Sequence, residues 1–359
     1  MAHKRLKPLK TRHWDAEKAE HLLSRAGFGI PRERVRHLER IGLFRAVDSL
    51  VDFGKIPEYG VAPGFLLQGD AHRRLRDIKD EAERREARQK LQRSERQAMQ
   101  LMKQWWFERI LNSPRPLEEK LTLFWHGHFA TSAQKVKSSH YNYQLNSIFR
   151  RFGTGSFRTL TMEVARSPAM LRYLDNVQNV AAHPNENWAR ELMELFTMGI
   201  GNYTEKDIKE SARAFTGWAV GPRGFTVRQR QHDVGKKEFL GRSGNLGGRE
   251  IIDTIFEQDV TAEFISRKLY RFFVSDDVDE DVVRAMAEDL RENGYVVGEM
   301  LRSLFRSEDF YAKGVIGSQI KSPVQFVVQL VHDLGLPYPP YASMARSTAQ
   351  LGQDLFYPP

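Results

Sequence analysis

Acid–base or metal chemistry is best supported in the stretch NENWARELMELFTMGIG, from Asn185 to Gly201. At 100° per residue, Asn187, Glu191 and Glu194 share one face of a helix. The apolar side chains lie on the opposite face: Trp188, Leu192, Leu195 and Phe196. Arg190 follows Glu186 by four residues, which predicts an ion pair on an ordinary solvated face. The alternative is that this face lines a functional site. Glu191 and Glu194 are neighbouring like charges, which repel each other unless a cation, either Arg190 or a metal ion, lies beside them.

The segment WHGHF supplies two imidazoles, His126 and His128. Residues two apart point to different helix faces, but the two rings converge if the helix ends near Gly127. Imidazole suits Zn, Mn or Fe. The pattern therefore indicates a ligand or catalytic pair, with buried structural histidines as the alternative.

Further polar groups lie on both sides of the Asn-Glu stretch. Asp175, in YLDN, either caps a turn or faces a site. His232 and Asp233 stand together in QHDVGKKEFLG. We predict metal ligation by His126, His128 and Glu191, catalysis by Glu194, His232, Asp233 and Asp175, and substrate binding by Asn187 and Arg190.

The elements that must position these groups are mostly helices. Asp15 is suited to cap a helix, and Thr204 with Asp207 resembles a capping box. Ser113-Pro-Arg-Pro116 breaks a long helix before LEEKLTLFWHGHF. Alternation in GFTVRQRQHDVGKKEFLG predicts one small β-hairpin near residues 224–241. The class is mainly α, in one large domain over residues 1–359, with two lobes (1–115 and 116–359) as the alternative.

Composition narrows the function classes. The 359 residues contain no cysteine, which excludes disulfides and thiolate chemistry, and no apolar run is long enough to span a membrane. The net charge of +9 invites a polyanionic partner. However, the largest charge run, Asp70 to Arg96, mixes signs as a solvated helix does, and no nucleic-acid motif accompanies it, so nucleic acid is disfavoured. The N-terminus lacks a secretory pattern, so the chain as written is cytoplasmic, or exported if a signal was trimmed.

Five motifs together resemble the bacterial family called "domain of unknown function 1800" over nearly the whole chain. They are HLLSRAGFG, FWHGHFATS, SPAMLRYLDN, NENWARELMELFTMGIGNYTEKDIKESARAFTGW and HDVGKKEFLG. The resemblance implies a largely helical protein, often exported and found beside a sulfatase-like partner family, but it implies no reaction. Similar proteins usually continue past GQDLFYPP into a Trp- and Gly-containing segment, so we expect either a short form or a truncation.

Two hypotheses about function follow. The first is a hydrolase or lyase with a His/carboxylate cleft acting on a glycan or other anionic polymer. It would use a divalent metal ion to activate water, or else two carboxylates with separated pKa values. The second is a non-catalytic helical scaffold or binding module, a partner of a sulfatase-like protein, whose polar residues form caps and buried networks.

Overall fold

Helices dominate the computed structural model, which describes residues 6–66, 71–222 and 224–358. The helices are α1 (Ala16–Ala26), α2 (Arg32–Ile41), α3 (Leu43–Val51), α4 (Ala71–Asp77), α5 (Glu81–Asn112), α6 (Pro116–His128), α7 (Ala133–Val136), α8 (Ser139–Phe152), α9 (Phe157–Arg166), α10 (Pro168–Tyr173), α11 (Asn187–Glu191), α12 (Glu205–Ala214), α13 (Gly248–Phe256), α14 (Asp259–Phe273), α15 (Glu280–Glu292), α16 (Val297–Arg306), α17 (Pro323–Asp333) and α18 (Tyr341–Gln350). The mainly α prediction is confirmed. Within the described ranges, no helix is both long and apolar enough to cross a bilayer. Asp70, which begins the charged run, lies outside the described residues.

The helix boundaries follow local chemistry. The Asp15 side chain accepts a hydrogen bond from the Lys18 backbone N–H, which caps α1 as predicted. Thr204 and Asp207 form the predicted reciprocal capping box at the start of α12. Pro116 is the first residue of α6, where its missing N–H costs nothing. Helix α6 ends at His128, one residue after Gly127, close to the predicted end.

In the residues that the structure describes, the β structure is two hairpins, where the sequence predicted one hairpin near residues 224–241. Strands β1 (Trp218–Gly221) and β2 (Gly224–Val227) pair antiparallel, with Trp218 opposite Val227. Strands β3 (Lys237–Phe239) and β4 (Arg242–Gly244) form the second pair, with Lys237 opposite Gly244. The predicted range contains one strand of each hairpin, because β2 pairs with the preceding strand β1, which begins four residues after the end of α12.

Two apolar clusters fill the interior. The larger one includes side chains from α1, α3, α6, α8–α16 and both hairpins. The smaller one packs the second half of α5 against α17, α18 and the C-terminal residues Leu355 and Phe356. Side chains from residues 1–115 and from later residues meet in both clusters. The division into lobes stays a prediction.

Gly248, at the start of α13, is packed too tightly for a side chain. A Cβ there would lie 2.4 Å from Trp218 Cζ2 and 2.5 Å from Phe215 Cε1. We expect Gly248→Ala to lower the free energy of unfolding by about 1–3 kcal/mol, because neither ring can move within the packed core. Urea denaturation followed by circular dichroism measures this change.

A second helical glycine is the matched control. A Cβ on Gly127 in α6 would meet no atom within 4 Å. Gly127→Ala should therefore raise stability slightly, by about 0.5–1 kcal/mol, through helix propensity alone. Equal effects of the two substitutions would contradict the packing explanation for Gly248.

Candidate functional site

His126 lies inside the smaller core cluster. Its Nε2 accepts a hydrogen bond from the Phe356 backbone N–H at 3.0 Å. The ring packs edge-on against Trp106 and Phe356, with centroids 5.2 and 5.5 Å away. Burial lowers the pKa of His126 to about 4, so the ring is neutral at pH 7. The imidazole therefore anchors the C-terminal segment.

His128 is enclosed by aromatic rings and faces the chain after α11. Its Nε2–H donates to the Phe196 carbonyl at 3.0 Å, and its Nδ1 lies 3.4 Å from Lys268 Nζ. Lys268 Nζ also donates to the Leu195 carbonyl at 2.8 Å. Burial, and then Lys268, hold the pKa of His128 well below its ordinary value. Both ring nitrogens are engaged with protein atoms.

The stretch after α11 is a π-helix, Leu192–Thr197, instead of a continued α-helix. Thr197 Oγ1 donates to the Leu192 carbonyl five residues earlier, at 2.6 Å. The wider turn rotates every later side chain relative to an α-helix. Leu195, expected on the apolar face, is 47% exposed, whereas Met198, which a continuous α-helix would place on the face of Glu191 and Glu194, is 2% exposed.

Glu191 and Glu194 remain neighbours on the partly exposed face. Burial, and then the charge of Glu194, raise the pKa of Glu191. Glu194 Oε2 accepts a hydrogen bond from the Tyr203 hydroxyl at 3.0 Å. In the part of the chain that the structure describes, no three His, Asp or Glu side chains are grouped to hold a metal ion. The arrangement gives the metal form of the prediction no support.

The predicted substrate-binding residues lie on the surface. Arg190 donates to Glu205 at 2.9 and 3.0 Å and to Glu186 at 3.2 Å, which includes the predicted i, i+4 ion pair. Asn187 is exposed, and its backbone N–H donates to Asn185 Oδ1. These contacts are those of a capped and ion-paired helix start.

His232 and Asp233 hold the loop between the two hairpins. His232 Nδ1 lies 2.8 Å from the Thr216 carbonyl oxygen. Asp233 accepts two hydrogen bonds from Arg213, at 2.7 and 3.3 Å. Arg213 lowers the pKa of Asp233, which stays ionised. The pair ties this loop to the end of α12.

Asp175 has a left-handed backbone, with φ of 57°, and its carboxylate accepts a hydrogen bond from Lys135 Nζ at 2.6 Å. No hydrogen bond or salt bridge of the described residues joins any two of His126, Glu191 and His232. Each predicted group is instead held by its own neighbours. The catalytic and ligand roles assigned to these residues stay predictions.

A cleft with strongly basic walls lies between α5 and the segments that carry α7, α10 and β1. Its volume is about 1080 Å³. Six basic side chains line it: Arg84, Arg88, Arg96, Lys137, Arg172 and Arg228. Glu95 is the acidic side chain in the lining, and its Oε2 accepts a hydrogen bond from the Ser139 backbone N–H at 2.7 Å. The positive charge of the lining therefore greatly exceeds the negative charge.

One helix face supplies half of these cations. Arg84, Arg88 and Arg96, together with Gln92, recur every four residues on α5 and all line the cleft. At about 1.5 Å rise per residue, the successive positions are about 6 Å apart along the axis. Among the salt bridges of the described residues, none involves these three arginines. They are available to an anionic ligand.

Sequence reasoning missed this cleft because it treated the charged run as uniformly solvated. The carboxylates of Glu81, Glu83 and Glu86 are exposed on α5 and are not part of the cleft lining. Arg84, Arg88 and Arg96 of this run thus line the cleft, whereas these three carboxylates do not. The four-residue spacing of Arg84, Arg88, Gln92 and Arg96 was the available signal.

Comparison with known proteins gives one family. A family model described as "Protein of unknown function (DUF1800)" matches residues 21–359, nearly the whole chain. No curated protein and no solved structure matches the chain. The geometry of the chain itself must therefore support any functional proposal.

Proposed function

Starting from the DUF1800 family, to which this chain belongs, we propose that the protein binds an acidic glycan in the basic cleft. The observation that carries the proposal is the lining of six basic side chains against one acidic one. Guanidinium groups donate paired hydrogen bonds to carboxylate and sulfate groups. A row of them suits a polymer that repeats such groups.

The cleft combines charge with apolar surface. Leu91, Met99, Val177 and Val220 contribute to its lining beside the cations. Sugar rings present apolar C–H faces as well as anionic substituents, so both kinds of surface have a counterpart on an acidic glycan. Ligand-binding sites typically combine an apolar lining with a small number of polar groups that orient the ligand.

A single-stranded nucleic acid fits the cleft less well. Such ligands are bound by stacking successive bases on aromatic side chains. Tyr357 is the aromatic residue of the described lining, and its ring already packs against Lys103 Nζ, 4.3 Å from the ring centroid. The cleft therefore favours the glycan over a polynucleotide.

Binding alone does not require the predicted reaction. A hydrolase or lyase activity, a divalent metal and a sulfatase-like partner stay predictions. The binding proposal is closer to the module hypothesis, because the cleft lining offers cations and a hydrogen-bonded Glu95 as its charged groups.

The test is titration calorimetry with polygalacturonate and heparin as probes, and neutral dextran as the reference. We expect the wild-type chain to bind both acidic polymers, with affinity that falls as salt rises. The triple variant Arg88→Gln, Arg96→Gln, Arg172→Gln should bind about 100-fold more weakly, since each lost charge-assisted hydrogen bond is worth about 1.5–3 kcal/mol before partial compensation.

The matched control for the single cleft substitution Arg88→Gln is Arg93→Gln, which removes the same single charge from an exposed position of α5 outside the cleft lining. This variant should keep wild-type affinity. Equal weakening by Arg93→Gln and by a single cleft substitution such as Arg88→Gln would show nonspecific attraction and contradict a cleft. Tighter binding of a poly-dT oligonucleotide than of either glycan would contradict the ligand class.

A further inference from the structure

Helix α17 carries apolar side chains on two opposite sides. Four valines of its inner side belong to the smaller core cluster: Val324, Val327, Val328 and Val331. Phe326 and Leu330 project from the outer side and are 51% and 46% exposed. A helix that is apolar all round is normally buried all round. The outer side of α17 is therefore apolar without being covered by the residues that the structure describes.

The exposed apolar stripe continues to the end of α17. Phe326, Leu330 and Leu334 recur every four residues, so they share one side of the helix over about 12 Å. Leu334 is 62% exposed and keeps a helical backbone at the C-cap. Just beyond it, Leu336 and Tyr338 are exposed too, and Tyr338 is 91% exposed. We call these five side chains the α17 patch.

The α17 patch is large enough for a contact between proteins. Because an aromatic side chain offers about 150–250 Å² when fully exposed, the patch presents on the order of 500 Å² of mostly apolar surface. The largest apolar patch of a typical monomer is about 300–600 Å² and is often functional. Two such patches in contact would bury on the order of 1,000 Å², which is about the smallest area of a specific interface.

Opposite charges mark the two ends of the α17 patch. Lys321 is exposed directly before Ser322, which caps the start of α17. Asp333 is exposed at the end of the helix and follows Phe326 by seven residues, so it lies on the same side. Among the salt bridges of the described ranges, none includes Lys321 or Asp333. Each end therefore carries a charge that a partner can pair.

We propose that α17 packs against α17 of a second copy of this chain, antiparallel about a two-fold axis. In this arrangement Phe326 of each copy meets Leu330 of the other. The same orientation brings Lys321 of each copy to the end of the other α17 that carries Asp333. A two-fold contact is self-complementary, so the α17 patch supplies both apolar pairs and both ion pairs.

Other occupants fit the α17 patch less well. An anionic membrane surface would repel Asp333, which lies on the same side of the helix as the apolar stripe. A second copy in parallel orientation would place Lys321 beside Lys321 and Asp333 beside Asp333, and like charges side by side oppose association. The antiparallel copy uses both the apolar stripe and its two charged ends.

Sedimentation velocity of the full chain over about 1–100 µM tests the proposal. For an interface of this size we expect a monomer–dimer equilibrium with a Kd on the order of 10 µM. Leu330→Glu should raise the Kd at least about 100-fold, because it places a carboxylate against Phe326 of the second copy. The control Val234→Glu puts the same group at an exposed apolar position between the two hairpins and should leave the Kd unchanged. Circular dichroism checks that both variants fold.

Charge exchange tests the antiparallel orientation. Asp333→Lys alone and Lys321→Asp alone should each raise the Kd about 10-fold, because each replaces two ion pairs by two like-charged pairs. The double variant, Lys321→Asp with Asp333→Lys, restores opposite charges and should dimerise as the wild type does. A purely local effect of either substitution would not be reversed in this way.

A wild-type chain that stays monomeric over the whole concentration range overturns the proposal. The same conclusion follows from a dimer that persists in folded Leu330→Glu, or one that Val234→Glu weakens equally. Failure of the double variant to recover the dimer overturns the antiparallel arrangement. Vesicles of phosphatidylserine and phosphatidylcholine test the membrane. Vesicle binding by a monomeric wild type, lost in Leu330→Glu, would overturn the proposal and assign the α17 patch to a lipid surface.

Discussion

Glu119→Gln is expected to lower the free energy of unfolding by about 3–5 kcal/mol, the cost of breaking a buried ion pair. The Glu119 side chain is completely buried in α6 and accepts four hydrogen bonds. Arg109 Nε donates at 2.9 Å, Arg150 donates at 2.9 and 3.0 Å, and Trp106 Nε1 donates at 3.0 Å. Removing the carboxylate leaves two buried guanidinium groups without their main counter-charge.

The charge state of Glu119 is secure. Burial by itself raises the pKa of this carboxyl, but Arg150 and then Arg109 outweigh burial and hold the pKa below its ordinary value. At pH 7 the variant therefore removes a full negative charge from between two positive ones. The loss of stability should appear as a lower urea concentration at the unfolding midpoint, with an unchanged dependence of the free energy of unfolding on urea concentration.

Glu163→Gln is the control, because Glu163 is partly exposed and, among the residues that the structure describes, forms a salt bridge only with Arg166, 3.8 Å away on the same helix. We expect it to change stability by less than about 1 kcal/mol. A double variant with Arg150→Met should recover part of the loss, since it removes one unpaired charge. A folded Glu119→Gln protein as stable as Glu163→Gln would contradict the structural role of the network.

Lowering the pH is the second change with a large expected effect. The free energy of unfolding should fall steeply as the pH is lowered from 6.5 to 4. Burial lowers the pKa of His126 to about 4, and burial followed by Arg25 lowers that of His21 to about 4. His128 is shifted in the same direction. In the unfolded chain these rings titrate near 6.5, so the unfolded state binds the extra protons. Their stabilisation is present above pH 6.5 and is lost as the pH falls toward 4.

The expected size is about 3 kcal/mol at pH 4 for each of His126 and His21, from about 1.36 kcal/mol for each pKa unit. Urea unfolding at intervals from pH 7 to 4 measures the slope. His126→Gln should reduce the dependence of the free energy of unfolding on pH by about one proton taken up on unfolding. The glutamine amide oxygen can still accept the hydrogen bond from the Phe356 backbone N–H, but it does not titrate. Stability that is flat from pH 7 to 4 would contradict the burial of the neutral rings.

Sequence and structure agree wherever a local contact decides the outcome. The Asp15 cap, the box of Thr204 with Asp207 and the break before Pro116 each depend on residues within four positions of one another. Such contacts form in any tertiary context, so the mainly α class and many helix limits could be predicted. The family resemblance rests likewise on contiguous motifs and is confirmed over residues 21–359.

Side-chain directions were not predictable in the same way. The π-helical turn at Leu192–Thr197 moves Leu195 outward and Met198 inward, and the contact of the Leu195 and Phe196 carbonyls with Lys268 and His128 helps to fix it. Those partners come from α14 and α6, far along the chain. A helical wheel drawn from one segment cannot contain them.

The sequence by itself determined that this is a mainly helical member of its family with a net positive charge. Only the tertiary structure decided which charged side chains are paired and which are left to face a cleft. Glu118 and Glu119 are adjacent, yet one has a buried oxygen without a hydrogen-bond partner and the other is fully paired. The difference arises because Arg150 of α8 reaches one carboxylate and not the other. Similarly, packing of α5 against α8 and α18 places Arg84, Arg88 and Arg96 at the cleft, since the energy of a charge depends on its surroundings in space and not on its position in the chain.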